Sequence, residues 1–108
     1  MLVLLDQCVP HPLRHYFPGH DVHTARFMGW DGLTNGALLA AMRAGGFQVL
    51  LTVDQNLRHQ QNLTAAGVAV VVMLAPTNTM PDLTPLVPEV AAALLTIRPG
   101  DVVEVAAS

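Results

Sequence analysis

The 108-residue sequence contains no lysine and only one cysteine, Cys8, so an internal disulfide is excluded. A single cysteine suits a reducing cytosol, and we expect it to pack in the protein rather than to act in catalysis. No apolar run approaches the roughly 20 residues that a membrane span requires, and no membrane partner is expected. The first residues have neither a basic region nor a small-residue cleavage site, which favours a first strand over a signal peptide.

Charged residues are scarce as well, at 12% of the chain, and the net charge is −3. The sequence therefore lacks the global basic field that many nucleic-acid binders carry. All five basic residues are arginines, which suit bidentate phosphate contacts but are also common as solvated surface charges. Hydrophobic residues make up 52% of the chain, which argues against disorder. This share indicates a sheet covered on both faces, or a chain that also buries surface against a partner such as a second copy in a homodimer.

Short apolar runs alternate with helical patterns along the chain. Strands are predicted over residues 2–5, 21–24, 47–53, 68–74 and 101–105. Helices are predicted over residues 12–17, 36–43 and 56–66. A last helix is predicted within residues 82–97, regular after Pro85 or Pro88 and clearest over 89–97. The run 68–74 has no polar break, which predicts a central or doubly covered strand, whereas the more polar last strand is expected at an edge. This alternation predicts one α/β domain, residues 1–108, with a parallel sheet and right-handed crossovers.

Two of the predicted strands run directly into a carboxylate. The first is followed by Asp6 and the third by Asp54, and ligands bind at the carboxyl edge of open α/β sheets. If these strands are neighbours, both carboxylates converge there with Asn35, at the start of the helix between them. Converging carboxylates repel one another unless a shared proton or a bound cation offsets the repulsion. Hard oxygen ligands suit Mg²⁺ or Mn²⁺, which can activate water at a phosphodiester; alternatively, each aspartate caps a nearby helix or turn.

Four segments stand out by their order and spacing. They are Leu-Val-Leu-Leu-Asp at 2–6, Gly-Leu-Thr-Asn-Gly at 32–36, Leu-Thr-Val-Asp-Gln-Asn-Leu at 51–57 and Gln-Gln-Asn-Leu at 60–63. Together they resemble the small PIN-like proteins, a family of predicted toxin-type nucleases, over about residues 1–75 of this chain. The resemblance implies a three-layer PIN-like α/β fold with a mostly parallel sheet of about five strands. It also implies a divalent-metal site of clustered acidic residues, RNA cleavage in the cytoplasm, and a small antitoxin protein as partner.

The resemblance transfers to individual positions of this sequence. Asp6 and Asp54 match acidic metal ligands of the family, whereas Gln7, Asn35 and Asn56 stand where many relatives have an acidic residue. Amide oxygens can coordinate a metal but contribute no charge. We therefore expect weaker cation affinity and a poorer match to a two-metal mechanism, whose ions lie about 4 Å apart.

Two functions of different classes follow from these residues. The first is an endoribonuclease that depends on Mg²⁺ or Mn²⁺ and cleaves single-stranded RNA, with Asp6, Asp54 and Asn35 as catalytic metal ligands and Asn56 as a further ligand. Side chains expected to contact its substrate are Gln7, Arg26, Trp30 and Arg58. The second is a catalytically weakened PIN-like module that acts by binding protein or RNA. A flavodoxin-like phosphoacceptor is disfavoured, because the basic partner familiar from receiver domains is absent in a chain without lysine.

Three smaller alternatives stay open in the sequence. Trp30 lies in a glycine-flanked loop and could stack on a base, or it could fill the lid of the core or a partner interface. Asp31 could restore a missing carboxylate, although a loop residue between glycines is more typical of a turn. Arg14 is a further candidate for binding a substrate phosphate.

Overall fold

The computed structural model describes residues 1–59 and 63–106, without the side chains of residues 58, 59, 64 and 65. Its five strands, β1 to β5, span Leu2–Leu5, Asp21–Thr24, Val49–Thr52, Ala69–Leu74 and Val102–Ala106. All neighbouring strands pair in parallel, in the order β2-β1-β3-β4-β5. The predicted α/β class and its sheet of about five strands are confirmed.

Within the described ranges, four α-helices, α1 to α4, span Asn35–Gly45, Leu63–Ala66, Met80–Leu83 and Val87–Leu94. Segments of 3-10 helix occur at His11–Tyr16, Gln55–His59 and Thr84–Leu86. The helix predicted over 12–17 is therefore a 3-10 helix, and it begins with a proline in its first turn. Of the helix predicted over 56–66, residues 56–59 lie in the 3-10 helix Gln55–His59 and residues 63–66 form α2, whereas residues 60–62 lie outside the described part of the chain.

The last predicted helix begins at Val87, within the range that its prolines left open, but it ends at Leu94 and not at residue 97. Pro88 lies in the first turn of α4, where the amide that proline lacks is not needed for helical hydrogen bonds. Beyond Leu94 the chain tightens, because the amides of Leu95 and Thr96 bond to carbonyls three residues back and not four. The expected helix therefore closes as a tighter turn, which returns the chain towards β5.

Apolar side chains on both faces of the sheet place the core in two clusters. Successive residues of a strand point to opposite faces, and in β4 Val71 and Met73 join one cluster while Val70 and Val72 join the other. The first cluster packs under the helices of the C-terminal third and the 3-10 helix His11–Tyr16. The second packs under α1 and α2. These three layers explain why β4 carries no polar side chain, and they confirm that it is doubly covered.

The strand order reverses between β1 and β3, which makes their carboxyl ends the topological switch point of the sheet. β1 pairs with β3 in the register Leu5↔Leu51, and the amide of Asp6 extends this pairing to the carbonyl of Leu51 at 2.9 Å. β1 and β3 are thus neighbours, which is the condition under which Asp6 and Asp54 were expected to converge. β2 and β5 are the two edge strands, which confirms the expected position of the last strand.

No helix in residues 1–59 and 63–106 combines the length and the apolar character needed to cross a membrane.

Candidate functional site at the carboxyl edge of the sheet

Asp6 is half-buried directly after β1, and both of its carboxylate oxygens accept hydrogen bonds. Its Oδ1 accepts the amide of Gln7 at 2.9 Å. Its Oδ2 accepts the hydroxyl of Thr52 at 2.8 Å and lies 3.6 Å from the thiol of Cys8. Hydrogen bonds to an ionised carboxylate are among the stronger ones in proteins. Asp6 is therefore held in one orientation at the switch point.

Thr52 joins the two strand ends, and sequence reasoning did not identify it as a site residue. It is the one polar side chain of the described residues that is completely buried. Its Oγ1 donates to Asp6 and accepts the amide of Asp54 at 3.0 Å, which uses the donor and one acceptor of a hydroxyl. The signal was present in the sequence, since Thr52 is the single hydroxyl in an otherwise apolar strand that ends beside a carboxylate.

Asp54 lies at the same edge as Asp6 but is engaged differently. Its Oδ1 accepts the amide of Asn56 at 2.9 Å, a local turn contact that starts the 3-10 helix Gln55–His59. This contact is the turn-capping role that the sequence left open for a strand-end aspartate. Thr52 therefore connects one carboxylate group to the backbone of the second aspartate, while the second carboxylate is partly committed to its own turn.

Gln7 links the end of β1 to the loop before α1. Its Oε1 accepts the amide of Gly32 at 2.6 Å, which fixes the orientation of the side-chain amide because the backbone N–H can only donate. Gly32 has φ +83°, a left-handed conformation that favours glycine. The loop that leads to α1 is thereby attached to the residue after Asp6.

Asn35 is the first residue of α1, and Thr34 is the N-cap, with its hydroxyl accepting the amide of Ala37 at 3.3 Å. Among the described residues, no hydrogen bond joins the side chain of Asn35 or Asn56 to Asp6 or Asp54. The same residues contain no group of three or more His, Cys, Asp or Glu side chains placed to hold a metal ion. The predicted ligands thus share an edge of the sheet without forming a closed cage.

The side-chain oxygens at this edge are of the hard type that Mg²⁺ and Mn²⁺ prefer. Oδ1 of Asp6 and Oδ1 of Asp54 each accept one described hydrogen bond. A carboxylate oxygen can accept more than one, so both can still coordinate a cation. Mg²⁺ is commonly held by only one or two carboxylates, with waters and substrate phosphates completing its shell. Asp6 and Asp54, with amide oxygens from Asn35 and Asn56, would be the ligands of such an ion. A two-ion centre fits poorly, because the described residues contain no group of three or more His, Cys, Asp or Glu side chains that could hold a metal ion.

A cavity of about 700 Å³ opens beside Asp6. Its walls come from the end of β1, from the 3-10 helix His11–Tyr16 and from the end of β2 with the turn that follows. Among the described residues, it gathers the predicted site residues Asp6, Gln7 and Arg26. Outside its lining lie Asp54, Asn35, Asn56 and Trp30. The side chain of Arg58 is outside the described part of the chain.

The charge of this cavity is opposite in sign to that of the whole protein. Arg14 and Arg26 line it, whereas Asp6 is its one carboxylate among the described residues. Arg14 is half-buried, and its Nη1 donates to the carbonyl of His11 at 2.8 Å, which holds the guanidinium on the wall. Two guanidiniums in one cleft favour an anionic ligand and can contact phosphate through paired N–H groups.

Cys8 lies in the wall of the cavity and behaves as a packed thiol. Burial raises the pKa of the Cys8 thiol, and the nearby Asp6 carboxylate acts in the same direction. A protonated thiol is a poor nucleophile. The backbone carbonyl of Cys8 accepts a hydrogen bond from Nδ2 of Asn78 at 3.0 Å, which brings the loop after β4 to the site. These contacts favour the packing role that the sequence indicated for this residue.

The two aromatic residues of the region differ in their surroundings. Trp30 is half-buried and packs edge-on against Phe47, with ring centroids 5.4 Å apart and an interplanar angle of 72°, which favours the core-filling alternative over base stacking. Phe27 instead lines the cavity with 77% of its surface exposed. Sequence reasoning did not select Phe27, although an aromatic residue directly after Arg26 was a visible signal.

No family model, curated protein or solved structure matches the chain. Assignment to the PIN-like family therefore stays a prediction that rests on the four sequence segments.

Proposed function

We propose that the chain is a PIN-like endoribonuclease that depends on Mg²⁺ or Mn²⁺ and cleaves single-stranded RNA. The observation that carries this proposal is the pairing at the switch point. Asp6 and Asp54 follow adjacent parallel strands, and the Thr52 hydroxyl joins them beside a cavity that holds two arginines. Carboxylates for a cation and guanidiniums for phosphates are the two groups that phosphodiester hydrolysis at such a site requires.

The side chains take separate roles in this proposal. Asp6 and Asp54 hold the cation, with Asn35 and Asn56 as neutral oxygen ligands. When bound, the cation activates water and neutralises charge on the phosphodiester. Arg26 and Arg14 bind backbone phosphates in the cavity, together with the Gln7 side chain. Thr52 is a positioning residue, because it contacts both aspartates from a buried position without reaching the cavity lining.

Cleavage of a fluorescently labelled single-stranded RNA by the purified chain tests the proposal. We expect cleavage with Mn²⁺, none with excess chelator, and none in the double variant Asp6→Asn/Asp54→Asn. The matched control is Asp101→Asn, because Asp101 also accepts a turn amide, that of Arg98 at 2.9 Å, but precedes β5 at the opposite edge of the sheet. Cleavage by the double variant at the wild-type rate would remove the proposal.

A second candidate function is favoured by the small number of acidic groups. In the described residues, only Asp6 brings a carboxylate to the cavity, and no three-group metal cluster is present. A catalytically weakened PIN-like module that binds RNA or protein would keep the arginine-lined cavity without efficient hydrolysis. RNA binding that is unaffected by chelator, with no cleavage at any Mn²⁺ concentration, would favour this module over the nuclease.

The biological setting of the proposal comes from the resemblance to PIN-like toxins. We expect the chain to act in the cytoplasm as the toxin of a toxin–antitoxin pair, with a small antitoxin protein as its partner, and its high share of hydrophobic residues leaves a homodimer open as an alternative. Arrest of cell growth on expression, relieved by Asp6→Asn, would support the toxin role. Unimpaired growth with confirmed RNA cleavage would limit the proposal to the nuclease activity.

A further inference from the structure

Phe27 lies on a turn whose backbone is closed by hydrogen bonds. Its amide donates to the hydroxyl of Thr24 at 3.0 Å, and the amides of Met28 and Trp30 bond back to Thr24 and Ala25. The turn after β2 is therefore closed by its own hydrogen bonds. A side chain on a preformed turn can contact a ligand without the entropic cost of ordering a loop.

Other rings support Phe27 from the side of the core. His23 stacks on it, with centroids 5.9 Å apart and an interplanar angle of 25°, and also meets the buried Phe47 edge-on. Nε2 of His23 lies 2.9 Å from Oδ1 of Asp21, which fixes the imidazole from its other side. Phe47 in turn contacts Trp30. A row of four rings thus leads from the core to the cavity and ends in an exposed aromatic side chain.

The charges around Phe27 define the chemistry of its ligand. Arg26 is its neighbour in sequence, and Arg14 lines the same cavity. An aromatic side chain next to guanidiniums is the combination with which proteins bind single-stranded nucleic acid, because rings stack on bases while cations contact the backbone. The cavity volume of about 700 Å³ lies within the range of about 300–1,000 Å³ that is typical of small-ligand sites.

We infer that Phe27, Arg14 and Arg26 form a nucleotide subsite in which one base of single-stranded RNA stacks on Phe27 and the adjacent phosphate contacts the two guanidiniums. This inference rests on the proposed function, and it adds the residue that holds the base. It places the bound nucleotide in the same cavity as Asp6. The stack recognises the face of a base, so the subsite accepts any base and selects for an unpaired strand.

Fluorescence anisotropy with a short labelled single-stranded RNA, in excess chelator, tests the subsite without cleavage. We expect Phe27→Leu to weaken binding about tenfold and Phe27→Trp to retain it, because a ring stacks and an aliphatic side chain does not. The matched control is Leu95→Ala, since Leu95 is a hydrophobic residue that is 80% exposed, on the end of α4 and outside the cavity lining. Circular dichroism verifies that each variant is folded.

A series of RNA probes with a single abasic site at successive positions provides the second arm. We expect the abasic site at one position of the RNA to lower the affinity of the wild-type chain. At that position, the wild type and Phe27→Leu should bind the RNA with equal affinity. Equal RNA binding by wild type and Phe27→Leu would overturn the inference, and so would a Phe27→Leu defect that no abasic position removes. If Phe27→Leu instead weakens only the binding of an antitoxin protein, the surface serves a protein partner and the inference is wrong.

These measurements separate the subsite from the proposed catalysis. Binding in chelator does not depend on the cation, so a failed metal site leaves the Phe27 result intact. Conversely, a chain that cleaves RNA with Mn²⁺ and is unaffected by Phe27→Leu keeps the nuclease proposal and loses the subsite.

Discussion

β1 and β3 are followed by the same pair of residues, but the two pairs lie in different surroundings. Each strand reaches an Asp-Gln pair, at 6–7 and at 54–55. After β1, the next helical segment starts only at His11, and Asp6 lines the cavity. After β3, a 3-10 helix starts at Gln55, and Asp54 caps it through the amide of Asn56. The segment that follows a strand thus decides whether its terminal carboxylate lies in a cavity or bonds to a turn.

The largest expected effect comes from testing the two aspartates separately. We expect Asp6→Asn to reduce RNA cleavage by about 100-fold or more, because among the described residues Asp6 supplies the one carboxylate in the cavity lining. Asp54→Asn should reduce it by only about tenfold, since its carboxylate is partly engaged in the turn and an amide oxygen can keep that contact. Initial rates of RNA cleavage at saturating Mn²⁺ measure both variants, and equal losses would remove the distinction between the two strand ends.

The link between the two ends can be broken at Thr52. Thr52→Val should destabilise the chain by about 1–3 kcal/mol, because Asp6 loses a donor and the amide of Asp54 is left without its acceptor. Thr52→Ser keeps the hydroxyl and should lose about 1 kcal/mol, for the deleted methyl group. Urea denaturation measures both changes. A Thr52→Val variant that is as stable as Thr52→Ser would show that the hydroxyl does not connect the strand ends.

Cys8 should have the smallest effect on activity. Because burial raises the pKa of its thiol, the thiolate is scarcer in the folded chain than in the unfolded chain at mildly alkaline pH. Alkylation by iodoacetamide at pH 8 should therefore be slower in the native protein than in urea, and it should accelerate as the pH rises. Cys8→Ala should keep RNA cleavage within about twofold of wild type. Loss of cleavage in Cys8→Ala would instead assign the thiol to the chemistry.

The raised pKa of the Cys8 thiol also makes the free energy of unfolding depend on pH. The folded chain holds this proton more tightly than the unfolded chain, so the contribution to stability is complete below the ordinary pKa of a cysteine. It is lost as the pH rises towards the raised pKa of the folded state. Comparing wild type with Cys8→Ala in urea at neutral and alkaline pH isolates this contribution, because every other titrating group is common to both.

The fold was predictable because its signals are local and repeated. Apolar runs such as Val49–Thr52 and Ala69–Leu74 alternate with helical patterns, and only a parallel sheet covered on both faces accommodates that order. The ends of the helices were less predictable. Prolines set their starts, as Pro88 does in α4, and backbone hydrogen bonds that tighten at Leu95 and Thr96 set their ends.

The site was predictable only in part. The role of Asp6 could be predicted from its position after a strand. The orientation of Asp54 depends on the hydrogen bond that its carboxylate accepts from the amide of Asn56, and the sequence alone does not show whether this bond forms. Thr52 gains its role from burial between two strand ends. Phe27 gains its role from the ring of His23, which stacks on it and packs against Phe47, a residue of the core that is distant in sequence. These features depend on tertiary packing, and single-residue patterns cannot supply them.

Isothermal titration calorimetry with Mn²⁺ tests most directly whether the switch point is a cation site that depends chiefly on Asp6. We expect the wild-type chain to bind Mn²⁺ with millimolar or tighter affinity. Binding should be lost in Asp6→Asn, weakened in Asp54→Asn and unchanged in Asp101→Asn. Mn²⁺ binding of equal affinity in Asp6→Asn and wild type, or no binding in the wild-type chain, would contradict a cation site that depends chiefly on Asp6.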